Sequence, residues 1–235
     1  MRNDLMTTEV RNPLPECLAR FQDDGYAVID AGLDSAALSE LGALLDTKPP
    51  GERNLVDVPA VRQLARSEAI RNLARPALGD NCFAVRGILF NKTEEANWKV
   101  TWHQDCVIAV AARIEIPGWG PWSIKAGVHH VRPASDLMSR MLAVRIHLDD
   151  CNADNGPLRV VAGSHKHGFL SDRQIQDWLK NGAVTCVASR GDAILMRPLL
   201  LHSSSPATVP GSRRVIHLEF AADELPNGVE WKDRV

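Results

Sequence analysis

The pattern of apolar residues changes at Asn81, and that change limits the fold more than any other feature of the chain. From there, short β-type runs follow one another: CFAVRGILFNK (82–92), KVTWHQD (99–105), VIAVAAR (107–113), MLAVRIHLDD (141–150), PLRVVAG (157–163), AVTCVAS (183–189), DAILMRP (192–198) and RRVIHLEFAA (213–222). Turn-forming residues separate them. A sandwich or open barrel is the expected arrangement of so many short strands. Only residues 171–181 interrupt the series, where Ser171 and Gln174 form a capping-box pattern and Gly182 can end the helix.

The first third reads differently. Residues 15–24 form an amphipathic helical pattern stopped by Gly25, and 26–30 a brief strand. Asp34 is placed to cap a helix running through Leu45. Residues 59–75 hold one or two more helices, with Ser67 as an internal restart and Pro76 and Gly79 as their end. Helices first and strands afterwards give an α+β chain. No repeat, linker or low-complexity stretch divides it, so residues 1–235 are expected to form one domain.

Composition excludes several function classes. Lys and Arg number 27 against 29 Asp and Glu, a net charge of −2, with no basic block to displace counterions, so nucleic acid is not the expected partner. No apolar run approaches the ~18 residues of a membrane span. The opening residues lack a secretory h-region. The five cysteines are scattered and never CxxC, which fits a reducing cytoplasm better than a disulfide framework or a structural zinc site. One stretch has neither helix nor strand period: residues 115–133, EIPGWGPWSIKAGVHHVRP. A loop of that length is expected to be a lid or binding loop.

The sharpest chemical signal is His103-Gln104-Asp105 at the end of a strand run. Residues i and i+2 of a strand share a face, so an imidazole and a carboxylate can occupy adjacent positions on one metal ion. A distant histidine would complete a 2-His-1-carboxylate triad with open positions, the arrangement of non-haem Fe(II) oxygenases. His202 is suitably placed. Spacing alone does not choose, however. Eight histidines and 18 aspartates in 235 residues give about 0.6 such pairs by chance, and the chain contains two, the second being His147-Leu148-Asp149. Further along, Arg213 opens a strand on which Arg213, Val215, His217 and Glu219 share one face and Arg214, Ile216, Leu218 and Phe220 the other. The first set suits a polar cavity, where a guanidinium fork could clamp the far carboxylate of a metal-bound 2-oxo acid.

Three blocks then occur in order: NK…WHQD (Asn91, Lys92 and residues 102–105), LDD…NGPLRVVAGSHKHG (148–168), and LLLH…RRVIHLEF, which holds His202 and Arg213. On these blocks the chain resembles the phytanoyl-CoA dioxygenase family of Fe(II)/2-oxoglutarate oxygenases. The resemblance implies a double-stranded β-helix, or jelly roll, with N-terminal helices packed outside. It implies Fe(II) on His103, Asp105 and His202, 2-oxoglutarate on Arg213, and O₂ as oxidant. The expected reaction is hydroxylation or desaturation of a small organic molecule, such as a natural product, amino-acid derivative or acyl compound, with release of succinate and CO₂. His147 and Asp149 fall where the family has no ligand.

Gln104 is expected beside the co-substrate by the same resemblance, although strand alternation points its side chain away from the metal. Within 115–133, Trp122, Lys125, His130 and Arg132 are the candidates for substrate contact. Arg53 aligns only loosely with a basic residue of relatives and reads as a solvated arginine. His165 and His167 read as structural. A cupin-type metal isomerase and a jelly-roll binding protein without turnover remain as alternatives from other classes.

Overall fold

The computed structural model describes residues 14–209 and 211–235; the opening residues read above for a leader lie outside that range. In chain order the elements are α1 (Leu14–Asp24), β1 (Tyr26–Asp30), α2 (Ser35–Leu45), α3 (Pro59–Arg66), α4 (Glu68–Leu78), β2 (Phe83–Lys92), β3 (Val100–His103), β4 (Ile108–Val110), β5 (Trp122–Lys125), β6 (Val128–Val131), α5 (Ser135–Ser139), β7 (Leu142–His147), β8 (Leu158–Val161), α6 (Asp172–Leu179), β9 (Val184–Cys186), β10 (Asp192–Met196), β11 (Leu201–Ser204) and β12 (Arg213–Ala221).

Local chemistry sets most boundaries. Asp34 caps α2 by accepting from Ala36 N. Ser67 ends α3 and caps α4, accepting from Ile70 N. Ser171 and Gln174 make the reciprocal capping box of α6. Pro76 does not end α4, which continues to Leu78 before Gly79 stops it. Pro76 cannot donate to Asn72 O, so the last turn of α4 continues without that bond.

The strands form three antiparallel sheets, ordered β1-β10-β7-β12-β2, β3-β11-β8-β9 and β4-β6-β5. One face of the five-stranded sheet, carrying Leu142, Val144, Ile146, Ile216, Leu218 and Phe220, packs against α2–α4 through Leu45, Val61 and Ile70. These fully buried side chains contribute roughly 1.5–3 kcal/mol each. The opposite face meets the four-stranded sheet, where Ala143, Ile194 and Met196 pack on Leu158, Val160 and Cys186. This is the jelly roll with helices outside. No helix among the described residues is long and apolar enough to cross a membrane.

Two stretches differ from the reading of the sequence. The run DAILMRPLLLH is two strands: β10 ends at Met196, a turn follows in which Leu200 N donates to Arg197 O, and β11 continues in the other sheet. Residues 115–133 are not an irregular loop throughout. They contain the hairpin β5–β6, closed by Ala126 (φ 48°) and Gly127 (φ 77°), the positive-φ pair that matches strand twist. The Pro/Gly cluster before it masks the strand pattern of WSIK and VHHV.

Candidate metal centre and cavity

The site begins with two strands. His103 on β3 and His202 on β11 are direct cross-strand partners, and their ring centroids lie 4.2 Å apart. His103 Nδ1 is 2.8 Å from Thr101 O, and His202 Nδ1 is 2.8 Å from Leu200 O. A carbonyl only accepts, so Nδ1 carries the proton in both rings and Nε2 presents its lone pair. Both Nε2 atoms turn to Asp105, His103 at 3.7 Å from Oδ1 and His202 at 3.7 Å from Oδ2. All three ligand atoms lie within 4.8 Å of one another.

The turn that carries Asp105 is fixed from behind. Asp105 N donates to Pro198 O, and the buried Gln104 amide donates to Gly168 O and Leu199 O and accepts from Leu170 N. Gln104, expected beside the co-substrate, lies just past the end of β3 and lines the cavity beside the triad, with its side-chain amide committed to backbone groups. Burial lowers the His202 pKa to about 4 against the opposing pull of Asp105, so its ring is neutral at ordinary pH. Burial alone would raise the Asp105 pKa, but His202, His217, His103 and Arg86 outweigh it and bring the carboxyl to about 2. A neutral imidazole and an ionised carboxylate are the forms a metal requires.

The second His-x-Asp pair has no such convergence. Asp149 receives Arg214 N, Nε and Nη2 at 2.6–2.9 Å, a forked pairing. Both ring nitrogens of the buried His147 lack hydrogen-bond partners.

A cavity of about 410 Å³ opens beside the triad. The face assignment on β12 holds: Arg213, His217 and Glu219 line the cavity, whereas Ile216, Leu218 and Phe220 pack in the helix-covered core. Arg213 is only 3% exposed. Its Nε has no hydrogen-bond partner, and it forms no ion pair among the described residues. Burial lowers its pKa. Such an arginine is costly unless an anion reaches it.

Three further cations on the cavity wall were given no role in the reading of the sequence. Lys92 is the Cα partner of Arg213 and donates to Ser204 Oγ (2.7 Å) and to Ser205 O. Burial lowers its pKa to about 8, with Arg213 adding to the effect. Arg86 pairs with Glu219 at 3.0 Å, and Arg145 Nη1 lies 3.0 Å from His217 Nδ1. Strand alternation on β2, which places Arg86, Ile88, Phe90 and Lys92 on one face, was the signal that could have found two of them. Arg53 has an exposed side chain, yet it also lines the cavity.

Of the four candidates in 115–133, Lys125 alone lines the cavity. Trp122 packs against the core under Arg113, 5.4 Å from its ring centroid. Arg132 stacks on Phe169 at 3.9 Å. His130 is buried with Nδ1 3.0 Å from Val128 O, and burial pushes its pKa down to about 4.

Comparison with known proteins agrees with this geometry. A family model described as phytanoyl-CoA dioxygenase matches residues 10–215. A search of the curated proteins finds no match. Among solved structures, EctD from S. alaskensis with 2-oxoglutarate and 5-hydroxyectoine superposes with a TM-score of 0.68 at 21% identity, covering 94% of this chain and 78% of that one. HygX from Streptomyces hygroscopicus with iron bound gives 0.64 at 16%, covering 89% and 86%. SnoN, a non-heme alpha ketoglutarate dependent epimerase from nogalamycin biosynthesis, gives 0.65 at 18%, covering 88% and 80%. At these identities the likeness is one of fold.

Proposed function

Because the chain belongs to the phytanoyl-CoA dioxygenase family, we propose that it is an Fe(II)- and 2-oxoglutarate-dependent oxygenase, one domain over residues 1–235, that hydroxylates a small polar molecule. The observation that carries this reading is the convergence of His103 Nε2, His202 Nε2 and Asp105. Two imidazoles and one carboxylate on one side of an ion leave positions open on the other. The buried Arg213, whose Nε lacks a hydrogen-bond partner and which forms no ion pair among the described residues, provides a second fit, because 2-oxoglutarate would bring a carboxylate to its guanidinium. When bound, ferrous iron and 2-oxoglutarate supply the activation of O₂ that oxidises a C–H bond, with release of succinate and CO₂.

The chain's own groups do the positioning. The carbonyls of Thr101 and Leu200 hold the imidazoles in the tautomer that presents Nε2. Gln104 locks the turn that presents Asp105. Arg213 and Lys92 mark the co-substrate end, and the charged cavity wall favours a polar substrate over an acyl chain. Desaturation or epimerisation at the same centre is a second reading, favoured by the fold shared with the epimerase SnoN.

The test is succinate formation from 2-oxoglutarate with Fe(II) and ascorbate, followed by product mass. Hydroxylation adds 16 mass units, desaturation removes two and epimerisation changes none. No succinate under any condition would leave a metal isomerase or a binding protein as the correct reading.

A further inference from the structure

Six cationic side chains, Arg53, Arg86, Lys92, Lys125, Arg145 and Arg213, line the cavity against two carboxylates, Asp105 and Glu219. On the proposed function, on which this inference rests, a ferrous ion and a dianionic co-substrate cancel each other's formal charge. The surplus of cations therefore persists in the loaded site. Most members are engaged: Glu219 neutralises Arg86, Arg145 contacts His217, and Lys92 is tied to Ser204 and Ser205. Arg213 faces the co-substrate. Arg53 and Lys125 are left, with no side-chain ion pair or hydrogen bond among the described residues.

Backbone geometry brings these two together. A Cβ on Gly87 would lie 3.1 Å from Val56 N and Cγ1, so the missing side chain lets residues 54–56 cross close over β2. Asn54 bridges to Gly87, and Leu89 N donates to Glu52 O at 2.8 Å. Arg53 is thereby held beside Arg86. Asn54 Nδ2 in turn donates to Ala126 O at 3.4 Å, in the hairpin turn that adjoins Lys125. The crossing segment and the hairpin tip thus meet at one rim of the cavity. That rim adjoins the Arg86–Glu219 pair, which lies six residues along β12 from Arg213, about 20 Å of extended strand. Burial lowers the Lys125 pKa, and Arg86 and Arg53 add to the effect, as expected for an uncompensated positive potential.

We propose that the substrate carries a carboxylate or phosphate group, and that Arg53 and Lys125 bind it at the end of the cavity remote from Arg213. The oxidised carbon would then lie between that anchor and the triad. Arg53 supplies a planar fork and Lys125 a point charge, a combination that orients an anionic oxygen group.

The test uses the full chain loaded with Mn(II) and titrated first with N-oxalylglycine, an unreactive 2-oxoglutarate analogue that fills the Arg213 end. Inorganic phosphate and acetate are then added in separate titrations. Quenching of Trp98, which lines the cavity, reports binding, and Trp98→Phe identifies the signal. Saturable binding of at least one anion is expected. It should weaken about tenfold in Arg53→Gln and in Lys125→Gln, weaken with added KCl, and stay unchanged in Arg113→Gln. The tighter of the two anions indicates which group the substrate bears. No saturable anion binding, or binding unchanged in both variants, overturns the proposal. Failure of N-oxalylglycine to bind in the first step overturns the co-substrate reading and this proposal with it, so the two failures are distinguishable.

Discussion

The two His-x-Asp pairs have the same spacing and the same local setting, since each histidine is the last residue of its strand, β3 for His103 and β7 for His147. Their surroundings differ. Asp105 faces the Nε2 atoms of two histidines and lies beside a cavity. Asp149 faces the guanidinium of Arg214, which also holds Asp46. His103 has a cross-strand partner in His202, whereas the neighbour across from His147 is Val215. A carboxylate already satisfied by a forked arginine is not available to a metal. Spacing is thus permissive, and the third group, brought by a distant strand, decides.

The largest effect that tests this contrast is removal of a ligand. His103→Ala or His202→Ala should abolish stoichiometric Fe(II) binding and lower activity more than about a hundredfold, beyond the loss typical of outer-sphere partners. His147→Ala should keep the metal, as measured by metal content after dialysis. Iron lost from the His147 variant and kept by the His103 variant would reverse the assignment.

The adjacent arginines provide the next contrast. Arg213→Ala should raise the apparent KM for 2-oxoglutarate by about tenfold or more, since a desolvated charge-assisted pair is lost. Arg214→Ala should leave that KM nearly unchanged and lower thermal stability, because it strips Asp149 and Asp46 of their partner. Equal KM effects would show that the two guanidiniums share the anion. A smaller effect is expected at His147 itself. His147→Leu removes two buried nitrogens without partners, so melting should shift by no more than the equivalent of about 1 kcal/mol in either direction. A large loss would show that His147 has a polar role.

Much of this was legible in the sequence because it depended on local rules. Alternation separated Arg213 from Arg214, and Asp34, Ser67 and Ser171 marked helix starts by their own side chains. What escaped was set by contacts between distant segments. Lys92 and Arg86 acquire their cavity positions only through the pairing of β2 with β12. Arg53 reaches the cavity because Gly87, 34 positions away, admits its segment. The hairpin at Lys125 was hidden by the prolines and glycines before it. Trp122, His130 and Arg132 had suitable chemistry for substrate contact, but packing with Arg113, Val128 and Phe169 places them elsewhere.

Lys92 provides the finest test of whether the Arg213 end differs from the rest of the cavity. Its pKa is lowered from 10.5 to about 8 by burial, with the charge of Arg213 adding to it. Below about pH 8 the ammonium is present and supports the attraction of Arg213 for a dianion; above it, that support is lost. Affinity for 2-oxoglutarate or N-oxalylglycine should therefore fall as pH rises through about 8, by about threefold given partial screening. Bound anion favours the charged lysine and should move the transition to higher pH. Folding stability responds in the opposite sense. The unfolded chain keeps this proton up to 10.5, so between about 8 and 10.5 it binds more protons than the folded chain, and the Lys92 contribution to stability rises with pH and is lost as pH falls through about 8. Binding and stability thus diverge across one window, and Lys92→Met should remove both trends together. An affinity loss that survives in Lys92→Met would assign the titration to another group and remove Lys92 from the co-substrate end.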